Sequence, residues 1–219
     1  MYKNVLLDFD FTLGDSGDAI VASASNAFRR LDVAIPDPER IRSMIGLSLP
    51  EIFHRATGID DPVRAEEFRR LFVQHADAVM AEMTVLYPAT AETIDLLKGA
   101  GLSLGVVSTK YRHRIEQILS RNGLLDRFDV IVGADEVASP KPDPAALILA
   151  LERLGVGREE TLYAGDHPVD ALAAQGAAID FVGVLSGPSV PPDFQGMPVR
   201  GFISGIAELP EWLAAAKSP

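Results

Sequence analysis

The stretch Val5-Leu6-Leu7-Asp8-Phe9-Asp10-Phe11-Thr12-Leu13 decides the fold of this chain. A short, continuous apolar run of this kind is typical of a strand that is buried on both faces of a parallel sheet. Two acids, Asp8 and Asp10, and the hydroxyl of Thr12 follow the run directly. Because ligands of open α/β sheets bind beyond the carboxyl ends of the strands, these three residues are candidate site residues.

Similar apolar runs recur along the rest of the chain, at 102–107, 130–132, 162–164 and 181–185. Helical patterns separate them, and one of these, Arg112–Asn122, ends at Gly123, a natural left-handed cap. This alternation predicts an α/β fold with a doubly wound, Rossmann-like parallel sheet. A late edge strand at Val199–Ile203 and a short terminal helix are expected to complete it.

Residues 16–86 interrupt this alternation of strands and helices, because they contain helical patterns and no convincing strand run. Some 70 helical residues are too many for a simple crossover between strands. We therefore expect an inserted, all-helical cap domain at 16–86 and a core domain formed by 1–15 and 87–219. Within the insert, the loop Arg42–Leu49 is expected to face the site, where a small pocket and a plain connection between helices are about equally plausible.

The composition excludes several classes of function. The chain has 219 residues, with 31 Asp and Glu against 20 Lys and Arg, a formal net charge of −11. Such a surface repels nucleic acid and anionic membranes, and the absence of cysteine excludes disulfides and thiolate chemistry. No apolar run approaches the roughly 18 residues that a membrane-spanning helix needs. We expect a cytoplasmic protein, either a monomer or a homodimer.

Polar side chains also follow the later strands. Ser108, Thr109 and Lys110 come after the second run, Lys141 lies in a loop beyond the third, and the fourth is followed by acids at 166 and 170. Clustered carboxylates repel one another, and Mg²⁺ with oxygen ligands and a substrate phosphate is the usual remedy. A lysine and a hydroxyl suit the oxygens of a transferring phosphoryl group, and an aspartate is an established nucleophile toward phosphorus.

At these positions the sequence resembles the haloacid dehalogenase superfamily, in its phosphatase branch with a helical cap. Four stretches, in the right order, carry the resemblance: Asp8–Leu13 (usually DxDGT), Ser108-Thr109-Lys110, Lys141-Pro142-Asp143, and Gly165–Asp170 (GDxxxD). Two stretches, Ser108–Leu119 and Val184–Gly187, resemble the phosphoglycolate phosphatase and pyrophosphatase-like subgroup.

The resemblance implies a role for each matched residue. Asp8 would be the nucleophile and a Mg²⁺ ligand, and Asp10 the general acid and base, whose backbone carbonyl also binds the metal. Asp166 would be the third protein ligand. The phosphoryl oxygens would be bound by three groups: the side chains of Ser108 and Lys141 and the backbone amide of Thr109. Thr12 and Asp170 would contact the metal ligands without binding the metal themselves.

Two residues depart from the family pattern. Phe11 stands where the family has glycine, so either the turn is ordinary or the site is altered. His167 follows Asp166 where a small residue is commoner, and we expect it to be structural, because the required acids are already present. Asp166 is also placed to cap the helix that begins near Pro168.

These patterns predict a Mg²⁺-dependent phosphatase that hydrolyses a small phosphorylated metabolite, of the phosphoglycolate type, through an aspartyl-phosphate. A capped sugar phosphomutase shares all four motifs, and a weakened member that only binds phosphate is the alternative that Phe11 favours. A dehalogenase would lack the second acid, and a response-regulator receiver is shorter and has no helical insert. The particular substrate and the oligomeric state are left open.

Overall fold

The computed structural model describes residues 2–216, in which strands and helices alternate along most of the chain. The strands are β1 (Asn4–Leu7), β2 (Gly14–Asp15), β3 (Val85–Leu86), β4 (Ser103–Val107), β5 (Val130–Val132), β6 (Thr161–Gly165), β7 (Asp180–Val184) and β8 (Phe202–Ile203). The helices are α1 (Gly17–Arg30), α2 (Pro38–Arg42), α3 (Leu49–Thr57), α4 (Pro62–Met83), α5 (Thr90–Gly99), α6 (Arg112–Arg121), α7 (Ala145–Leu154), α8 (Pro168–Ala177) and α9 (Leu209–Ala215).

Six strands form one parallel sheet in the order β5-β4-β1-β6-β7-β8. The central strand β1 is buried at every residue, as its unbroken apolar run predicts. The chain winds outward from β1 in one direction through β4 and β5, and in the other through β6, β7 and β8. The doubly wound α/β fold expected from the sequence is thus confirmed. Open α/β sheets bind ligands at the point where the strand order reverses, which here lies beside β1.

Two buried apolar layers cover the faces of the sheet. Leu7 and Val106, opposite one another in register, belong to one layer, whereas Leu6 and Tyr163 belong to the other. Successive side chains of a strand point to opposite faces, so a sheet covered on both sides needs apolar residues at consecutive positions. Within residues 2–216, no helix combines the length and apolar character that crossing a lipid bilayer requires.

Four helices, α1 to α4, lie between β2 and β3 and are called here the helical insert. Their shared interior is aromatic: the rings of Phe28 and Phe68 lie 4.7 Å apart, and Phe53 packs 5.5 Å from Phe68. The side chain of His75, on the apolar stripe of α4, lies 3.2 Å from the hydroxyl of Ser23. The insert is thus held by its own packing and not only by contact with the sheet.

Two short strands at the ends of the insert were not expected from the sequence. Strand β2 pairs antiparallel with β3, and just beyond this pair the buried hydroxyls of Ser16 and Thr84 lie 2.9 Å apart. Two residues per strand are too few to show an alternating pattern, and so the pairing escaped prediction. Ser16 also turns toward Thr84 and does not cap α1 with its side chain.

The helix ends follow the sequence signals more closely. Helix α7 ends at Gly155 with φ 66°, and Gly123 beyond α6 has φ 69°, both in the left-handed region that glycine adopts without steric cost. Before α7, Asp143 accepts a hydrogen bond from the amide of Ala145 at 2.9 Å. The edge strand expected at Val199–Ile203 is limited to Phe202–Ile203.

Candidate active site

The site begins where β1 ends. The amide of Asp8 still donates to the carbonyl of Ala164 on β6 at 2.9 Å, so Asp8 continues the strand direction. The chain then folds back, and the carbonyl of Phe9 accepts the amide of Leu13 at 2.9 Å. Both Asp8 and Asp10 are buried, which is uncommon for aspartates unless they are paired or bind a ligand.

Phe11 holds this turn in a left-handed conformation. Its φ is 57°, its amide donates to Gly14 at 2.8 Å, and its carbonyl accepts the hydroxyl of Ser186 at 2.5 Å. A phenylalanine in this region carries a steric penalty that glycine avoids. The turn is therefore not an ordinary one: phenylalanine adopts here a conformation of the kind that favours glycine. Its ring is buried, and this burial offsets the strain.

Lys141 lies at the centre of the buried charges. Its Nζ is 2.9 Å from Oδ1 of Asp8 and 2.5 Å from Oδ1 of Asp170, and it also donates to the hydroxyl of Tyr163 at 2.9 Å. Burial alone would lower the pKa of Lys141, but the charges of Asp170 and Asp8 outweigh it and raise that pKa above its usual value. The lysine is a fixed cation between two aspartates.

Tyr163 is a site residue that the sequence did not reveal. Its hydroxyl donates to the carbonyl of Val107 at 2.9 Å and lies 3.2 Å from Oδ1 of Asp170. Burial, followed by the charge of Asp170, raises the pKa of this hydroxyl, so it stays protonated and supports the lysine. A tyrosine inside an apolar strand run gives no signal of such a role, because its ring alone explains its burial.

Three carboxylates meet beside Lys141: an oxygen from each of Asp8, Asp166 and Asp170 lies within 4.8 Å of the others. Burial, then the neighbouring charges of Asp170 and Asp8, raises the pKa of Asp166 well above its usual value. Burial likewise raises the pKa of Asp8. The pKa shifts come first from burial and, for Asp166, next from the neighbouring negative charges, and a hard divalent cation would stabilise the ionised carboxylates against both.

The three acids are not equivalent. Asp170 is occupied, because its Oδ1 faces Lys141 and its Oδ2 accepts the amide of His167 at 3.0 Å. Oδ2 of Asp166, in contrast, is buried and has no hydrogen-bond partner among the described residues. Asp166, which the sequence assigned to the metal, thus keeps a carboxylate oxygen without a partner among the described residues, whereas both oxygens of Asp170 are engaged.

A glycine closes the site over Asp166. A β-carbon placed on Gly187 would lie 2.0 Å from Oδ2 of Asp166 and 3.1 Å from Cβ of Phe11, so only glycine fits. The preceding residue, Ser186, is the one that holds the carbonyl of Phe11. The sequence marked this segment only through its resemblance to a subgroup; its contact with the acids depends on the fold.

The expected phosphate-binding residues lie at the end of β4. The register pairs Leu7 with Val106, which brings Ser108 level with the β1 acids. Ser108 is buried, and Thr109 is half-buried. The hydroxyl of Thr12 is also buried, without a hydrogen-bond partner among the described residues. The sheet thus brings the predicted hydroxyls to the same edge as the acids.

A cavity of about 280 Å³ lies between this edge and the helical insert. Asp10, Thr109 and Lys110 line it from the sheet, and the loop Ile45–Ser48 lines it from the insert. The loop that the sequence singled out is therefore part of a pocket and not merely a connection. Most of the remaining lining side chains are apolar.

His167 has a structural role. Its Nδ1 accepts the amide of Val169 at 3.2 Å, so His167, and not Asp166, caps α8. Gly46 of the insert packs against its ring, where an added β-carbon would lie 3.0 Å away. Burial, aided by Lys141, lowers the pKa of His167 to about 4, which favours the neutral ring at neutral pH.

Comparison with known proteins defines the family. The profile of haloacid dehalogenase-like hydrolases matches residues 5–184, and the chain belongs to this family. It is 30% identical to the phosphoglycolate phosphatase of Escherichia coli strain K12, over 84% of this chain and 82% of that protein. The chain is a phosphatase, a hydrolase of phosphoric monoesters, as the sequence predicts.

Solved structures agree with this assignment. A protein described as a haloacid dehalogenase-like hydrolase from Bacteroides fragilis has a TM-score of 0.92 and 39% identity, covering 95% of this chain and 100% of that one. CbbY from Rhodobacter sphaeroides, solved in complex with phosphate, has a TM-score of 0.79 and 26% identity, covering 95% of this chain and 96% of that one.

Proposed function

We propose that this protein is a Mg²⁺-dependent phosphatase that hydrolyses a small phosphorylated metabolite of the phosphoglycolate type through an aspartyl-phosphate on Asp8. One observation carries the proposal. Lys141 lies 2.9 Å from Asp8, and Asp8, Asp166 and Asp170 offer oxygens within 4.8 Å of one another. A nucleophilic carboxylate, a cation for phosphoryl oxygens and a set of hard ligands thus share one buried corner.

The donor set suits magnesium. Asp8 and Asp166 would hold the ion with their carboxylates, and Asp10 would add its backbone carbonyl, while Asp170 is already engaged by Lys141. Oδ2 of Asp166, which has no hydrogen-bond partner in the described part of the chain, supports this assignment. Mg²⁺ favours one or two carboxylates together with water and substrate phosphate. When bound, it neutralises charge on the phosphoryl oxygens and on the clustered acids.

In the first half-reaction, Asp8 attacks phosphorus and forms a new P–O bond. The ester P–O bond breaks, and its electron pair goes to the leaving oxygen, which takes a proton from the carboxyl of Asp10. Lys141, Ser108 and the amide of Thr109 hold the phosphoryl oxygens, since positioning and charge compensation provide most of the catalysis in phosphoryl transfer.

In the second half-reaction, Asp10 acts as a base. It takes a proton from a water molecule as the water oxygen attacks phosphorus, and the bond to Asp8 breaks. Inorganic phosphate and the free carboxylate of Asp8 result. Asp10 can serve as acid and then as base, because it has given up its proton in the first half-reaction and is a carboxylate when the water attacks.

We also propose that residues 16–86 act as a cap domain on a core formed by 1–15 and 87–219. The chain enters the cap through β2 and leaves it through β3, and these two strands pair with each other next to Ser16 and Thr84. They are therefore the natural hinge between the cap and the core. Closure would exclude water from the cavity while Asp8 reacts. The cytoplasmic location and the oligomeric state stay predictions.

The test is release of inorganic phosphate from 2-phosphoglycolate, with Mg²⁺ and with EDTA in its place, and with Asp8→Asn as the blank. We expect inorganic phosphate to be released only by the wild-type protein, with Asp8 intact, and only in the presence of Mg²⁺. Release that continues in EDTA would contradict the metal assignment. A sugar phosphate that is isomerised without loss of phosphate would favour a phosphomutase instead, and inactivity on every ester would favour a protein that only binds phosphate.

A further inference from the structure

Lys110 is a buried cation to which the proposed mechanism gives no role. It follows β4, is 5% exposed, and lines the cavity between the sheet and the helical insert. Its Nζ lies 3.2 Å from Oδ1 of Asp10 and 3.3 Å from Sδ of Met80 on α4. The ammonium therefore stands at the cavity wall, next to the acid that would serve the leaving oxygen.

The partners of Lys110 are weaker than those of Lys141. An ammonium has three N–H donors, and Lys141 places three oxygens around its own. Lys110 has one carboxylate oxygen at ion-pair distance and a thioether, which is a poor acceptor. A buried ammonium with unfilled donor capacity is costly unless a ligand completes it.

The other two cations that line the cavity are already compensated by the protein. Arg69 donates to both oxygens of Glu66, at 2.6 and 2.7 Å, and to the hydroxyl of Tyr111 at 2.6 Å. Arg114 donates to Asp77 at 2.7 Å and to a backbone carbonyl of α4 at 3.2 Å. Among the described residues that line the cavity, each arginine thus donates hydrogen bonds to a carboxylate, whereas Lys110 has one carboxylate oxygen at 3.2 Å and a thioether.

We propose that Lys110 is a specificity-determining residue that binds an anionic group on the leaving alcohol, so that the preferred substrates are phosphate esters of small hydroxy acids. The proposal rests on the proposed function and adds the side chain that selects the substrate. Because Lys110 adjoins Asp10, the second anion must lie within a few bonds of the ester oxygen. A carboxylate attached directly to the ester carbon, as in 2-phosphoglycolate, satisfies this condition.

The rest of the cavity supports this choice. Its walls are largely apolar and include Ile20, Leu47 and Phe72, which offer no hydrogen bonds to the hydroxyls of a sugar. A volume of about 280 Å³ suits a compact leaving group. Burial lowers the pKa of Lys110, and the neighbouring Asp10 acts in the opposite direction. A ligand carboxylate would favour the charged ammonium in the same way as Asp10 does.

A matched pair of esters tests the proposal. 2-Phosphoglycolate and ethyl phosphate have the same carbon number and differ by a carboxylate in place of a methyl group. The variant Lys110→Met keeps the length of the side chain beside Met80 and removes the charge. We expect it to lower kcat/KM for 2-phosphoglycolate by about 10- to 100-fold, the range for loss of a hydrogen bond to a charged group, while ethyl phosphate changes by less than about 3-fold.

Two further variants serve as controls. Lys110→Arg should restore part of the preference for the acidic ester. Lys98→Met removes one positive charge at a partly exposed ion pair with Asp129, remote in the fold, and should leave both rates and their ratio unchanged.

The outcomes separate the two proposals. Equal losses on both esters in Lys110→Met would mean that the lysine only positions Asp10, and the specificity proposal would be wrong while the phosphatase stands. A wild-type preference for ethyl phosphate would overturn it as well. If the wild-type protein released phosphate from neither ester nor from any other monoester in the presence of Mg²⁺, the proposed function itself would fail.

Discussion

Nζ of Lys141 lies 2.9 Å from Oδ1 of Asp8, and the two side chains are almost completely buried. The lysine comes from a loop beyond β5 and the aspartate from the end of β1, so the pair joins parts of the chain far apart in sequence. A buried ion pair of this kind is weak evidence for stability, because desolvation opposes the attraction. We propose that the pair serves the reaction instead, because the phosphoryl oxygens of a substrate would need the same cation.

Replacing Asp8 by Asn should abolish phosphate release, because the amide lacks the charge needed to attack phosphorus. We expect turnover to fall by at least about four orders of magnitude, as for removal of other nucleophiles. Circular dichroism and urea unfolding should show a folded protein. A normal rate in Asp8→Asn would disprove the assignment of the nucleophile.

Asp10→Asn should separate the two half-reactions. An amide cannot take a proton from water, so breakdown of the aspartyl-phosphate should slow by about 10²- to 10⁴-fold, the usual contribution of a general base. A substrate with a good leaving group, such as 4-nitrophenyl phosphate, should still produce a burst of 4-nitrophenol in rapid-mixing experiments. Unchanged dephosphorylation in trapping experiments would count against this role for Asp10.

Lys141→Met should destabilise the folded protein by about 3–5 kcal/mol at neutral pH, because it leaves buried carboxylates without their counter-ion. Burial already raises the pKa of Asp8, and a carboxyl with a raised pKa binds its proton more tightly in the folded state. Stability is then lost as the pH rises above the unfolded value, so the deficit should shrink toward about pH 4.

Urea unfolding at several pH values measures this effect. The matched control is Lys98→Met, whose partner Asp129 is substantially exposed, and which should cost less than about 1 kcal/mol at any pH. A deficit in Lys141→Met that is independent of pH would show that lost packing, and not unpaired charge, explains it.

Gly187→Ala should impair the metal site with little effect on the remainder of the fold. The added methyl group would lie 2.0 Å from Oδ2 of Asp166, so the carboxylate or the loop must move. We expect Mg²⁺ affinity to fall by about 10- to 100-fold, as when groups around a metal site are disturbed. The increase in Tm with Mg²⁺ concentration reports this directly. Gly205→Ala, beyond β8, provides a control because its backbone is extended and no described atom lies within 4 Å of its added methyl group.

Phe11→Gly restores the glycine of the family motif. It tests whether the backbone strain at Phe11 or the burial of its ring has the larger effect on stability. Glycine would relieve a positive φ, worth about 1–2 kcal/mol, but would remove a buried ring, a loss of about 3–5 kcal/mol. We therefore expect net destabilisation of about 1–4 kcal/mol in urea unfolding, with phosphatase activity retained in the folded fraction. A more stable variant would mean that the strain exceeds the contribution of burial.

Much of the site could be predicted because its residues occupy strand ends. Asp8, Lys141 and Asp166 each follow or flank an apolar run that the sequence marks as a strand, and parallel strands end at one edge. Tyr163 and Gly187 could not be found in this way. Tyr163 lies within a strand, and the importance of Gly187 comes from a close approach to Asp166 that no local pattern encodes.

The sequence alone determined the order of the six strands of the main sheet, the helical character of the insert and the identity of the acids, because periodicity and punctuation are local properties of the chain. Tertiary structure decided which oxygens stay free. It placed Lys141 between Asp8 and Asp170, left Oδ2 of Asp166 without a partner among the described residues, and gave Lys110 a thioether beside its single carboxylate contact. These relations depend on distances of a few ångströms between segments remote in sequence, and only packing of the whole chain sets such distances.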